Sequence, residues 1–354
     1  MVETLHSRRH ETGRPAIGLA DKIAFLSDGR NLPGSPRSVE VRETHMSWVF
    51  LTPDRVYKLK KPVRFPYLDF STPERRAAAC RAEDRLNRRL APDVYLGVLP
   101  LAAGRAGLAL GGDGDAIDWL VTMRRLEETA SLEALLLDHR LRPEHIDRIA
   151  SALGSFYRQA RHIPLSAERH LADWRGALRT NRQVLCEARF KLPPGPIYRV
   201  IAVQRQFLQR HAERLARRVR QGRIVDAHGD LRPEHIWATR PVRIIDCLEF
   251  NPRLRALDPL DEIAFLHLEC ERLGARWAGE RIRRRLGTMV GEDRSSGLFL
   301  FYRSHRALLR ARLSIAHLYD AAPRTPEKWP RQARAYLSLA ARDAAQLDRL
   351  LRTP

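Results

Sequence analysis

His228-Gly229-Asp230-Leu231-Arg232-Pro233-Glu234-His235, followed by Ile244-Ile245-Asp246, is the stretch that decides how the rest of the chain is read. His235 to Thr239 and Val242 to Asp246 are β-forming runs on either side of Arg240-Pro241, a turn signal. Facing residues of an antiparallel pair keep a constant sum of positions. A turn centred on Arg240-Pro241 therefore sets His235 opposite Asp246, within about 5.5 Å between Cα atoms. The loop holding Asp230 enters the same end, so two carboxylates and an imidazole converge without help from distant chain. Asp246 offers a hard oxygen to a divalent cation such as Mg²⁺, and Asp230 can accept a proton from a hydroxyl. Phosphoryl transfer needs those two roles, together with a cation on the phosphates and in-line placement of the acceptor.

Outward from this ribbon the chain divides by texture. Upstream, Val39 to Val41, Trp48 to Thr52 and Arg55 to Lys60 are strand-like, with Pro53 and Asp54 as a turn. Thr72-Pro73-Glu74 has the form of a helix start, and the helix is expected to run to about Leu90. Val94 to Leu101, Leu108 to Leu110 and Trp119 to Met123 return to strand character, with Gly111 to Gly114 as a hairpin turn. After Leu126 helical periodicity dominates, over Ser131 to Leu137, Pro143 to His162, Leu171 to Phe190 and Ile197 to Arg220. It resumes at Pro259 to Leu273 and continues almost to the end. Before the first strand, Ala16 to Leu26 is a short apolar segment set between polar, Gly- and Pro-containing stretches.

At 354 residues, 44% hydrophobic and 30% charged, the chain can bury a core and is not disordered throughout. No stretch approaches the roughly 18 apolar residues needed to cross a bilayer as a helix, and no membrane partner is expected. Met1 to Gly18 has no apolar core of a secretory signal, so a cytoplasmic protein is expected. The formal charge is +21, carried almost wholly by arginine, since Lys22, Lys58, Lys60, Lys61, Lys191 and Lys328 are the lysines. That is read as a generally basic surface rather than a nucleic-acid footprint. Cys80, Cys186, Cys247 and Cys270 form no CxxC pair and are read as reduced structural thiols.

The central loop resembles the catalytic loop of the protein-kinase-like superfamily, H-R-D-L-x-x-x-N followed by a metal-binding Asp. With Gly229 at the arginine position it is more similar to the aminoglycoside-phosphotransferase branch. The resemblance implies that Asp230 is the catalytic base and Asp246 the metal-binding Asp. Arg232 stands where many protein kinases carry a lysine that contacts the γ-phosphate. His235 replaces the metal-ligand Asn; a softer donor there leaves Mn²⁺ open beside Mg²⁺. Val56-Tyr57-Lys58 resembles the strand bearing the ATP-phosphate lysine, with Lys60 on the same face as the alternative. Glu83 matches the glutamate that orients that lysine, and Met123, Arg124, Arg125 and Leu126 match the joint near adenine. Asp258-Pro259-Leu260-Asp261-Glu262-Ile263-Ala264 resembles the D-P-x-x-D-L-A segment, with Glu262 for the second Asp.

Finer features point to an uncharacterised bacterial group of aminoglycoside-phosphotransferase-like proteins. They are Glu43-Thr44-His45-Met46-Ser47-Trp48-Val49-Phe50, Tyr57-Lys58-Leu59-Lys60-Lys61-Pro62 and Leu86-Asn87-Arg88-Arg89-Leu90-Ala91-Pro92, with the loop Arg232-Pro233-Glu234-His235. The similarity spans about Val39 to Leu273. Some members of the group append a P-loop nucleotide-kinase domain; no G-x-x-x-x-G-K-[ST] occurs in this chain, so that second activity is not expected of it.

The expected fold is α+β, a two-lobed protein-kinase-like (aminoglycoside-phosphotransferase-like) architecture. It has an N-terminal helix-and-loop extension at 1–38, a small β-rich N-lobe at 39–123 and a large helical C-lobe at 124–354 carrying the 224–250 hairpin. The implied activity is ATP- and Mg²⁺-dependent transfer of the γ-phosphate to a hydroxyl of a small-molecule acceptor. Two features keep alternatives open. His235, with the glycine-free first turn Arg42 to Ser47, fits a catalytically degenerate nucleotide-binding or scaffold module. In that turn, the Thr44 and Ser47 hydroxyls are the candidate phosphate donors. The +21 charge fits a nucleic-acid-associated protein. His228 is expected to support the loop, and Tyr302, Arg303, His305 and Arg306 to form a solvated basic face.

Overall fold

The computed structural model describes residues 17–352 except Pro66, Ala106, Asp113, Ala321, Ala322 and Arg324. The chain forms two compact units, one from the chain up to Asp84 with Val94–Leu126, the other from Arg85–Asp93 with Glu127 onward. Much of the sequence extension at 1–38 lies outside the described residues; the part inside them begins with α1 (Leu19–Ser27).

The first unit is built on alternation. β1 (Glu40–Glu43), β2 (Ser47–Leu51) and β3 (Arg55–Lys60) form an antiparallel meander in which Phe50 faces Tyr57 and Val49 faces Lys58. Period-two alternation sends Phe50, Tyr57 and Leu59 to one face, where they pack with Leu26 of α1, Leu101 and Leu120. Lys58 and Lys60 leave from the other face. After the short pair β4 (Arg64–Phe65) and β5 (Leu68–Asp69), α2 (Pro73–Asn87) starts at the expected Thr72-Pro73 signal. There the Arg75 amide donates to Thr72 Oγ1 at 3.4 Å. The division between the units falls inside this helix. β6 (Tyr95–Gly104), β7 (Gly107–Leu110) and β8 (Asp115–Arg124) complete a six-stranded sheet in the order β1-β2-β3-β8-β6-β7.

One expectation is corrected here. Gly111 to Gly114 does not close a hairpin between β7 and β8. β7 pairs back on β6, Leu101 facing Leu110, and β8 lies on the other side of β6 against β3. Gly111 and Gly112, at φ 74° and 88°, reverse the chain across that strand. Asp118 of β8, 1% exposed, binds Lys22 of α1 at 2.8 Å and Arg76 of α2 through both oxygens at 2.7 and 2.9 Å. A buried carboxylate must be paired, and this one ties both helices to the sheet.

In the second unit the helices are α3 (Leu132–Leu137), α4 (Pro143–Gln159), α5 (Ala167–Leu185), α6 (Pro194–Arg210), α7 (Ala212–Arg220), α8 (Pro259–Arg272), α9 (Arg276–Leu286), α10 (Leu298–Ala316) and α11 (Lys328–Arg352). The single helix expected over 197–220 breaks at His211, which leaves helical geometry at φ −123°. The break aims Arg218 at Asp258, which it grips at 2.6 Å through each oxygen. Two short antiparallel pairs interrupt the helices: β9 (Val225–Asp226) with β12 (Ala256–Leu257), and β10 (Ile236–Trp237) with β11 (Arg243–Ile244). α8 is buried along its whole length from Pro259 to Cys270, so each of its acids has to be met by a partner.

Tyr302, Arg303, His305 and Arg306 are not a solvated basic face. They are between 0% and 6% exposed on α10. Arg306 makes two bonds to Asp261 at 2.8 and 2.7 Å, and Arg303 reaches Asp343, Glu271 and His267. Helical periodicity could not reveal this, because α10 is enclosed on nearly all sides and its charges are interior ion pairs. Among the described residues no helix is long and apolar enough to cross a membrane.

Candidate functional site

The loop after β9 is fixed by its backbone. Gly229 sits at φ 92°, and an added Cβ would lie 3.0 Å from Leu248, so both conformation and space call for glycine. Its N–H donates to Glu262 Oε1, while Tyr157 Oη donates to Glu262 Oε2 at 3.0 Å. Glu262 is fully buried; burial raises its pKa, against the pull of the Gly229 and His228 amides. His228, also fully buried, donates from Nε2 to the Ile245 carbonyl at 2.9 Å and accepts the Asp230 amide at Nδ1 at 3.3 Å. Burial, reinforced by His235, lowers its pKa to about 4, so it is neutral at pH 7, as that bonding requires.

The expected ribbon register is corrected by one residue. Ile236 faces Ile244 and Trp237 faces Arg243, which leaves a five-residue loop instead of a two-residue turn. His235 closes a one-turn helix, Pro233–His235, before the strand begins. Asp246, at φ 62°, has already left the ladder in the left-handed region, which Asp tolerates better than most residues. These two departures offset each other, and His235 Nε2 still lies 3.5 Å from Asp246 Oδ2.

Arg232 links the cluster. It donates to Asp230 Oδ2 at 3.0 Å, to Glu234 Oε1, and toward His235 Nε2 at 3.2 Å. Burial raises the Asp230 pKa, but the Arg232 guanidinium, His235 and Arg310 outweigh it, and the net shift is downward. His235 Nδ1 lies 2.9 Å from the Asp230 carbonyl and donates to it. That makes Nε2 the acceptor nitrogen, which takes the Arg232 guanidinium at 3.2 Å with the Asp246 carboxylate beside it. An imidazole nitrogen and a carboxylate oxygen at this separation fit a divalent cation, and the mixed donor set suits Mn²⁺ as well as Mg²⁺.

Two segments that hold this loop were legible only as motifs. Asn87 Oδ1 accepts the Cys247 amide at 2.8 Å, and Arg89 donates to the Asp226 and Ala227 carbonyls at 2.8 and 3.1 Å. The Leu90 carbonyl accepts the Ile244 amide at 3.4 Å. The Leu86-to-Pro92 signature thus braces both edges of the 226–247 segment. Asp258 caps α8 and takes Arg218 and Tyr302 Oη, the latter at 3.0 Å. Glu234, not singled out in the sequence, keeps one oxygen buried without a hydrogen-bond partner. Its cue is an acid two residues from Arg232.

In the sheet unit, Glu83 of α2 binds both candidate lysines, Lys58 at 2.9 Å through Oε1 and Lys60 at 2.6 Å through Oε2. The side chain of Lys58 is 16% exposed and that of Lys60 1%, with Lys60 Nζ also 5.0 Å from the Phe70 ring centre. Met123 and Arg124 are the last residues of β8, Met123 facing Val56. Arg125 is committed to its own sheet, donating to the Thr52 carbonyl at 3.0 Å and to Glu40 at 3.2 Å. Leu126 ends the unit. In the first turn, the Thr44 hydroxyl donates to the Ser47 carbonyl at 3.0 Å and accepts the Ser47 amide at 2.9 Å. It braces the turn, contrary to the phosphate-donor expectation for Thr44.

No family model matches the chain. An uncharacterised protein of Mycobacterium tuberculosis is 31% identical over 289 residues, which cover 80% of this chain and 56% of that protein. The chain thus spans about half the length of the curated relatives it matches. Among solved structures, a choline/ethanolamine kinase family protein from Mesorhizobium loti superposes with a TM-score of 0.53 at 18% identity, covering 94% of this chain and 95% of that chain. A thermostable aminoglycoside phosphotransferase, in ternary complex with AMP-PNP and hygromycin B, gives a TM-score of 0.50 at 13% identity over 89% and 97%. At these identities the likeness is one of fold.

Proposed function

Proceeding from the protein-kinase-like fold of this chain, a β-sheet lobe and a large helical part, we propose that it is a phosphotransferase. It moves the γ-phosphate of ATP onto a hydroxyl of a small-molecule acceptor. The observation that carries this reading is the convergence of Asp230, His235 and Asp246, with His235 Nδ1 on the Asp230 carbonyl and Nε2 3.5 Å from Asp246 Oδ2. Asp246 and His235 hold the divalent cation, and Asp230 receives the acceptor hydroxyl as a hydrogen-bond acceptor. Its lowered pKa keeps it ionised at neutral pH. The cation, when bound, offsets charge on the phosphate oxygens. Lys58, the more exposed of the two lysines, takes phosphate oxygens while Glu83 keeps it oriented, and Arg232 adds charge compensation. Because the transition state is loose, positioning and charge supply most of the rate.

The test is transfer from γ-labelled ATP, with Mg²⁺ or Mn²⁺, to an untargeted pool of metabolites. Asp230→Asn should lower turnover at least about 100-fold with nucleotide binding retained. Equal turnover in that variant removes Asp230 from its role. A second reading, a module that binds nucleotide without transfer, is favoured by the first turn, which lacks glycine and spends the Thr44 hydroxyl internally. Binding of ATP with no labelled product under either metal selects it. A nucleic-acid reading of the +21 charge has its own test: binding should fall steeply with salt, and failure to bind any nucleic acid at near-physiological salt disposes of it.

A further inference from the structure

The pairing around Arg232 fills one acceptor that a cation would need and leaves another acceptor spare. Arg232 precedes the one-turn helix Pro233–His235, whose first residue is a proline, so Glu234 and His235 follow on a short, stiff backbone. The guanidinium divides three ways. Nε donates to Asp230 Oδ2 at 3.0 Å, Nη1 to Glu234 Oε1, and Nη2 to His235 Nε2 at 3.2 Å.

An arginine has donors and no acceptor, so the last of these contacts occupies the lone pair of Nε2. The other ring nitrogen, Nδ1, already donates to the Asp230 carbonyl at 2.9 Å. His235 therefore has one lone pair to give, and a guanidinium and a divalent cation cannot both use it. The same Nε2 lies 3.5 Å from Asp246 Oδ2. For His235 to act as a cation donor beside Asp246, Nη2 of Arg232 has to leave it.

Glu234 gives that nitrogen a second acceptor. Its Oε1 takes Nη1, whereas its Oε2 is buried without a hydrogen-bond partner. Pivoting the guanidinium about Oε1 converts this single contact into the parallel two-point fork that arginine and carboxylate favour. The pivot also satisfies an oxygen whose isolation is unfavourable. Glu133 of α3 faces the same pair: burial and then Glu234 raise its pKa, with Arg272 and Arg232 opposing. A further acid near Glu234 favours the guanidinium on that side.

We propose that Arg232 is a latch on the cation site, covering His235 Nε2 as the structure stands and moving onto both oxygens of Glu234 when a divalent cation takes Nε2. Glu234 is thus a positioning residue that acts through Arg232. His235 and Asp246 are the cation donors of the phosphotransferase reading, and the latch rests on that part of it.

Mn²⁺ binding to the full chain, without nucleotide, is followed by loss of the free-ion electron paramagnetic resonance signal. Arg232→Lys keeps the charge but loses the fork, and should bind Mn²⁺ at least about 3-fold more tightly than wild type. Glu234→Gln should weaken binding at least about 10-fold in the wild-type background and under about 3-fold in an Arg232→Gln background. Simple removal of charge would weaken it equally in both. The charge-conserving variant and the cycle are independent, so either decides if a variant of the other fails to fold. Binding seen only in Arg232→Lys supports the latch, and saturable binding in neither that variant nor wild type overturns it. Equal binding in Asp246→Ala removes the cation site and the latch together. Loss of binding in Asp246→Ala, with no gain in Arg232→Lys or with additive effects in the cycle, overturns the latch and leaves the cation site standing.

Discussion

The two units handle buried charge in opposite ways. Around Glu83 one carboxylate is shared by two ammonium groups. Around Arg232 one guanidinium is shared by two carboxylates, Asp230 and Glu234, with Asp246 beside His235. With Lys60 held on Glu83, Lys58 can turn to an incoming anion without stranding that carboxylate. Acids grouped beside an imidazole can take up an incoming cation. The first arrangement suits triphosphate oxygens and the second a divalent metal, and each follows from local pairing alone.

The contrast is most easily broken at Glu83. Glu83→Ala removes the carboxylate that binds buried Lys60 at 2.6 Å, and should cost about 3–5 kcal/mol in urea unfolding. Lys58→Met should cost under about 1 kcal/mol, because Lys60 still neutralises Glu83, yet it should raise the KM for ATP. Equal losses in the two variants would show that the lysines are not a shared pair.

Acid titration sharpens the other side. His228 has a folded pKa of about 4 against an ordinary 6.5, so between those values the unfolded chain binds more protons than the folded one. Stability therefore rises with pH across that window, and it is lost as pH falls from about 6.5 toward 4. The loss from His228 alone is about 3 kcal/mol. Buried His305, lowered to about 3, extends the loss in the same direction. A urea midpoint flat from pH 6.5 to 4.5 would mean that His228 is not held neutral.

The smallest expected effect is at the proposed cation donor His235. His235→Asn replaces an imidazole nitrogen by an amide oxygen and should lower the ratio of Mn²⁺- to Mg²⁺-supported activity several-fold. An unchanged ratio would place His235 outside the cation's reach.

Much of this was readable before any coordinates. The Thr72-Pro73 helix start, the lysine strand and the H-G-D-L loop rest on local chemistry that a short window contains. Reading failed where partners come from far along the chain. The ribbon register was missed by one residue, because the turn residues do not reveal the one-turn helix at Pro233–His235 or the left-handed Asp246. β7 pairs back with β6, an outcome that alternation cannot distinguish from pairing with β8. The acids of 258–262 resembled a motif, but their separate duties depend on Arg218, Arg306 and the Gly229 amide.

Residue identity and spacing were enough to name the candidate groups, since a carboxylate, an imidazole and a lysine keep their chemistry in any fold. Which lysine is more exposed, which nitrogen of His235 accepts, and that the α10 arginines are interior all had to wait for packing. Burial and hydrogen-bond partners are properties of neighbours in space, and one-dimensional order does not specify who those neighbours are.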